Sequence, residues 1–257
     1  MSETKFYRNG GAMAEPRHLA NAPITEAVID FLVKLSPSFH AEEFLSLEKE
    51  LSEHYPTFKR LQEFRQTIEL KEKTVTESMT KLRGVRLESG DGRHVVQFRI
   101  DGFTFSRLKP YTRWEEVFVE AMDVWSLYKA KASPELVTRL AVRYINHMKL
   151  PLPITELSDY LTAAPRLPES LPQEISNVLT RVVVHVPEIA AFVNITQALE
   201  HSVGQDYITL LLDIDAFKRV EIEVDSENIP ITLEQLRHLK NRIFFGLITE
   251  KTARSYE

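Results

Sequence analysis

The segment Arg93–Leu108 limits the possible folds of this chain more than any other. Val96, Phe98 and Ile100 fall on one face of an alternating run, and Val95, Gln97 and Arg99 on the other. Asp101-Gly102 follows, and then Phe103 and Phe105 alternate against Thr104 and Ser106. Strand side chains point to opposite faces with period two. Asp-Gly between two such runs predicts a hairpin closed by a type I′ turn, with positive φ at both central positions. An earlier turn at Gly90-Asp91-Gly92 joins Leu82–Leu87 to the same meander. A sheet with one apolar face needs a cover, and Tyr111–Tyr128 supplies one. Trp114, Val117, Phe118, Ala121, Val124, Trp125 and Tyr128 form a wide apolar stripe at helical period.

The rest of the chain repeats this alternation of strands and helices. Ile24–Val33 reads as a strand after the breaker Asn21-Ala22-Pro23, and Ala41–His54 as a helix ended by Tyr55-Pro56. Gln66–Glu72 alternates as a further strand. Past the aromatic helix come a strand at Val137–Asn146, a short helix at Ile154–Leu161 and a linker with prolines at 165, 168 and 172. Strands follow at Ile175–Val186, Ile189–Gln197 and Tyr207–Phe217. A closing helix spans Leu233–Ile248, with Leu236, Leu239, Ile243 and Leu247 as its core stripe and Thr232 with Gln235 as a capping box. Adjacent Phe244 and Phe245 point about 100° apart on that helix, which makes one of them a candidate contact in a homodimer.

The predicted fold class is therefore α+β. A mainly antiparallel sheet is covered by two long helices, and two strand–helix–strands–helix halves give it a saddle-like or helix-grip-like character. The expected division is a disordered tail at 1–18, a first half at 19–132 and a second at 133–257, either separate or packed as one domain.

Charge is uneven along the chain. Residues 59–113 carry a net +6 and residues 153–215 a net −7. The first stretch can attract anions and the second cannot. The absence of cysteine rules out disulfides, thiolate nucleophiles and cysteine-ligated metals. The polar start has no apolar signal core and no apolar stretch reaches spanning length, so the expected location is cytoplasmic, with no membrane association. No Walker loop, dinucleotide fingerprint or nucleophile elbow occurs, and no cofactor is expected.

Four constellations carry chemistry. Arg139 and Arg143 share one face of a strand, Asn146 lies on the other, and Tyr111 and Trp114 open the preceding helix. Arginines beside aromatics can grip a small anionic ligand bidentately, and they can equally pair with acidic neighbours. Arg83, Arg86, Arg93, Arg99 and Arg107 form a basic stretch interleaved with Phe98, Phe103 and Phe105. It is a nucleic-acid surface only if charges and rings share a face, and the alternation separates them. Glu69-Leu70-Lys71 on a strand, with Asp30 as an earlier acidic partner, has the spacing of a nuclease-type metal site. Asp213 with Asp215, and Glu221 with Glu223, are paired carboxylates at strand spacing, and read also as a solvent-facing edge.

Four stretches of the chain are each similar to stretches of one known family. They are Leu19–Val28 (Leu-Ala-Asn-Ala-Pro-Ile-Thr-Glu-Ala-Val), Phe103–Trp114, Arg143-Tyr144-Ile145-Asn146 and Asn241–Thr249 (Asn-Arg-Ile-Phe-Phe-Gly-Leu-Ile-Thr). In combination they resemble a sporadically distributed family of uncharacterised bacterial proteins of about this length, from Leu19 onward. The resemblance implies no activity and assigns no residue a role. The family's patchy distribution implies genes that move horizontally, such as those of defence or toxin–antitoxin loci. The chain thus reads as a non-enzymatic binding or interaction module with a protein partner or small anionic ligand. The alternative is a metal-dependent enzyme or binder acting on nucleic acid or a phosphorylated ligand.

Overall fold

The structure is a computed structural model and describes residues 12–68, 76–154, 156–165, 167, 168, 170–172, 175, 177–200 and 206–257. The fold is α+β with nine strands among the described residues, and the chain divides into two compact units. The first comprises Glu26–Ala141 and Lys218–Thr232. The second comprises the described residues up to Thr25, Val142–Phe217 and Leu233–Glu257. The strands Ile24–Lys34, Leu136–Pro151 and Tyr207–Ile222 and the helix Asn228–Leu247 each have residues in both units. Among the described residues no helix is long and apolar enough to cross a membrane.

In the first unit the strands are β1 (Ile24–Lys34), β2 (Thr57–Ile68), β3 (Thr76–Glu88), β4 (His94–Arg99) and β5 (Gly102–Leu108), with the start of β6 (Leu136–Pro151). Their order is β2-β3-β4-β5-β1-β6. The meander read from the sequence is present, with antiparallel β3–β4 and β4–β5 pairs. Its turn differs from the expectation. Arg99 pairs with Gly102, so Ile100-Asp101 is the loop and Gly102 already belongs to the strand. Gly102 is needed there for close approach, since a Cβ would sit 2.0 Å from the Phe31 carbonyl oxygen. The helix predicted at Ala41–His54 is instead a 3₁₀ segment (Ala41–Ser46) followed by one α-turn, α1 (Leu47–Glu50).

Helix α2 (Trp114–Ala132) covers the core. Phe31, Phe98, Phe103, Trp125 and Tyr128 are fully buried. Trp125 stacks on Phe31 with centroids 4.4 Å apart, and Tyr128 donates a hydrogen bond to the Arg99 carbonyl at 2.8 Å. Burying an aromatic ring of this size is worth about 2–3 kcal/mol.

The second unit orders its strands β6-β9-β8-β7, with β7 (Leu179–Val186), β8 (Ala191–Glu200) and β9 (Tyr207–Ile222). One face is apolar: Tyr144, Met148 and Leu150 of β6, Leu210, Leu212 and Ile214 of β9, and Val193 of β8 are buried. Helix α3 (Asn228–Leu247) starts earlier than expected, with Pro230 in its first turn, where a missing N–H costs little. Thr232 is therefore a buried helical residue and not a cap. The buried stripe of α3 is also rotated from the prediction: in this unit Leu236, Leu239, Lys240, Phe244 and Phe245 are buried, while Ile243 and Leu247 are half-buried. Phe244 and Phe245 are both buried and meet edge to face at 5.2 Å.

Two further expectations are corrected here. The helix expected at Ile154–Leu161 shrinks to a 3₁₀ turn at Leu157–Asp159. Residues 12–18, expected within a disordered tail, are held against α4 (Glu250–Arg254). Ala14 is fully buried, and Arg17 forms ion pairs with Glu250 at 3.0 Å and Glu257 at 2.7 Å.

Candidate binding groove

A groove of about 580 Å³ opens in the first unit beside the first turns of α2. The strand register supplies its floor, because His94 of β4 lies directly opposite Arg107 of β5. The helix supplies its wall. Glu116, Glu120 and Asp123 recur at i, i+4 and i+7 and so share one side of α2, beside the buried stripe.

His94 is the centre of the arrangement. Its Nδ1–H donates to Glu120 Oε1 at 2.8 Å, and its Nε2 meets Arg107 Nη1. A guanidinium can only donate, so Nε2 accepts and the imidazole carries its proton on Nδ1. The ring also stacks on Phe105 at 5.8 Å. A Glu–His pair can serve general base catalysis when the second nitrogen faces substrate; here Arg107 occupies that nitrogen. The Glu120 charge reaches further: together with burial, which is the larger cause, it pushes the Tyr55 phenol well above its ordinary range.

The mouth is acidic. The Thr112 hydroxyl and Arg113 Nε both donate to Glu116, the latter at 2.7 Å, and hold its carboxyl below the usual range. Glu115, Glu116, Glu120 and Asp123 oppose Arg107 and Arg113, so the lining carries a net −2 with His94 neutral. Glu115 and Glu116 in the first turn also answer the positive end of the helix dipole, which would otherwise draw an anion.

The residues expected to hold an anion lie elsewhere and are engaged. Arg139 Nη1 donates to Asp30 Oδ2 at 2.8 Å in the first unit. Arg143 forms a bidentate pair with Asp213 in the second, at 2.8 and 2.6 Å. Asp215, on the same face as Asp213, accepts from Asn194 at 3.0 Å. Asn146 is buried and donates to the Leu212 carbonyl at 2.9 Å, a strand-to-strand tie. Trp114 is buried against Phe118, and Tyr111 is half-buried. Neither is among the residues that line the groove.

Four of the five arginines of the basic stretch also face carboxylates. Arg83 faces Glu63 at 3.6 Å, Arg86 faces Glu88 at 3.0 Å, Arg93 faces Asp91 at 3.7 Å and Arg99 faces Asp101 at 3.1 Å. Arg107 meets His94 in the groove. Phe98, Phe103 and Phe105 are fully buried, which leaves no ring face for a base. Of the metal alternative, Glu69 and Lys71 lie outside the described residues. Asp30 has both oxygens committed, Oδ1 to Thr104 at 2.7 Å and Arg99 at 3.2 Å, Oδ2 to Arg139. A carboxylate held by two guanidiniums is a poor cation ligand. Among the described residues no cluster of three or more His, Asp or Glu side chains could hold a metal.

Sequence reading named Arg107 but passed over His94, Glu116, Glu120 and Asp123. The helical spacing of the three acids was the available signal. The cross-strand position of His94 was not, since it depends on register. No protein-family model matches the chain, and no curated protein matches it.

Proposed function

We propose that this chain is a non-enzymatic interaction module whose groove beside α2 takes a cationic side chain from a segment of a partner protein. The observation that carries this reading is the charge balance of the groove, with four carboxylates around two guanidiniums. The arginines that could have gripped an anion are already paired with carboxylates. The arrangement we infer is helix-grip-like, with α2 as the rigid wall and the polar side of that helix as the contact surface. The resemblance to a sporadic bacterial family fits a partner encoded nearby.

The test is calorimetric titration of the whole chain with a short lysine- and arginine-rich peptide, and separately with an oligonucleotide of similar length. The peptide should bind, more weakly as salt rises, because exposed charge pairs are screened. Asp123→Lys combined with Glu116→Lys should weaken it by about tenfold or more, each exposed pair being worth up to about 1 kcal/mol. Binding of the oligonucleotide but not of the peptide would overturn the reading.

A further inference from the structure

Strand β7 has β8 on one side and, among the described residues, no strand on the other. Its sequence is Leu-Thr-Arg-Val-Val-Val-His-Val, rich in the β-branched residues that suit a sheet. The register with β8 is unbroken from Leu179↔Ala198 to Val186↔Ala191. In that same register the Leu199 N–H donates to the Val178 carbonyl at 3.0 Å. A strand residue turns its N–H and C=O to the same side, and successive residues alternate sides. Thr180, Val182, Val184 and Val186 therefore direct theirs to β8. The backbone groups of Leu179, Arg181, Val183 and His185 point away from it, along the free edge.

A free edge is a template for another strand, and proteins blunt it with lysine, proline, bulges or charges. The edge strand of the first unit is treated in this way: β2 carries Lys59, Arg60 and Glu63 and has a bulge between Leu61 and Gln62. Strand β7 has no lysine, proline or bulge. It holds apolar groups in solvent instead, with Leu179 75% exposed, Val183 58% and Val182 54%. Val182 lies on the face of the sheet that buries Ala191 and Val193 of β8, so the apolar face continues to the edge and stops there uncovered.

From the outward backbone groups, the missing protection and the exposed valines together, we propose that β7 pairs antiparallel with β7 of a second copy of this chain, about a two-fold axis at Val182. The strand itself selects this occupant. A two-fold pairing must set outward-facing residues opposite one another, which leaves registers centred on Val182 or on Val183 at the middle of the strand. Centring on Val183 sets Arg181 opposite His185, a like-charge pair once the imidazole is protonated. Centring on Val182 sets Arg181 opposite Val183 and Leu179 opposite His185, and these pairs exchange the free backbone hydrogen bonds. Val182 then meets its own copy in the closer, non-hydrogen-bonded kind of pair, and Thr180 meets Val184. The two Arg181 side chains stand on a diagonal and, being exposed, extend into water. The inference does not rest on the acidic groove.

One strand pair buries less than the roughly 1,200 Å² of a standard interface, so the dimer should be weak. Sedimentation velocity of the full chain over about a hundredfold range of concentration should show a monomer–dimer equilibrium. Val183→Pro removes an outward N–H and leaves the bonds to β8 intact, which is where an edge strand tolerates proline. It should weaken dimerisation by about tenfold or more, since each dimer loses two hydrogen bonds, with circular dichroism unchanged. Val182→Lys and Val182→Glu each set like charges against themselves at the axis, and each should be monomeric. An equal mixture of those two variants should dimerise again, the signature of a residue that faces its own copy. A wild type that stays monomeric throughout, a dimer that survives Val183→Pro and both Val182 variants, or a mixture that stays monomeric would each overturn the proposal.

Discussion

Asp30→Ala is the substitution that separates a structural role for Arg139 from a ligand-holding one. The Asp30 carboxylate accepts from Arg139 at 2.8 Å, Thr104 at 2.7 Å and Arg99 at 3.2 Å, and its side chain is 18% exposed. Each hydrogen bond to a charged group is worth about 1.5–3 kcal/mol in a protein. The sum must be discounted. The two guanidiniums are 19% and 20% exposed and can recover some water, and Arg99 keeps Asp101. A net loss of about 3 kcal/mol remains, within the range for breaking a part-buried pair. For a chain of this length that is a fall in melting temperature of about 6–12 °C. Asp30→Asn keeps the shape and should lose about 2 kcal/mol. The measurement is urea unfolding at fixed pH, with a shifted midpoint and an unchanged slope. Pairing the change with Arg139→Met in a double-mutant cycle should give a coupling of about 1–2 kcal/mol. A loss below about 0.5 kcal/mol, together with tighter phosphate binding by Asp30→Ala, would refute the structural assignment and return Arg139 to the list of anion-binding groups.

Two other predictions follow from burial. Lys240→Met should stabilise the protein near neutral pH. The unfolded lysine binds its proton at pH values where the folded one has lost it, so wild-type stability rises with pH from the lowered folded value up to the ordinary lysine value. The advantage of the methionine variant should accordingly shrink between neutral pH and about pH 10, and a pH-independent difference in urea midpoints would show that Lys240 is not held uncharged. Gly102→Ala places a Cβ 2.0 Å from the Phe31 carbonyl oxygen, where backbone must move. It should cost about 2 kcal/mol or more by thermal unfolding, and a loss under about 0.5 kcal/mol would mean that β1 and β5 are not so closely paired.

What the sequence determined by itself was whatever depends on neighbours along the chain. Period-two alternation placed β4 and β5, helical periodicity placed α2, and the rings of Phe98, Phe103 and Phe105 were assigned away from the arginines, all because side-chain direction follows from local backbone geometry. Lys240 was not legible in the same way, because the buried side of the closing helix is rotated from the stripe Leu236, Leu239, Ile243 and Leu247 that periodicity picks out. Tertiary structure decided what depends on register and rotation. Whether Asp30 meets Arg139, whether His94 faces Arg107 and Glu120, and which side of α3 is buried all turn on which residues of distant segments come opposite one another. A shift of one residue exchanges the two faces of a strand. Gly102 shows the boundary between the two: the Asp-Gly pair correctly located a hairpin. Only the approach of the Phe31 carbonyl explains why the glycine sits in the strand and not in the turn.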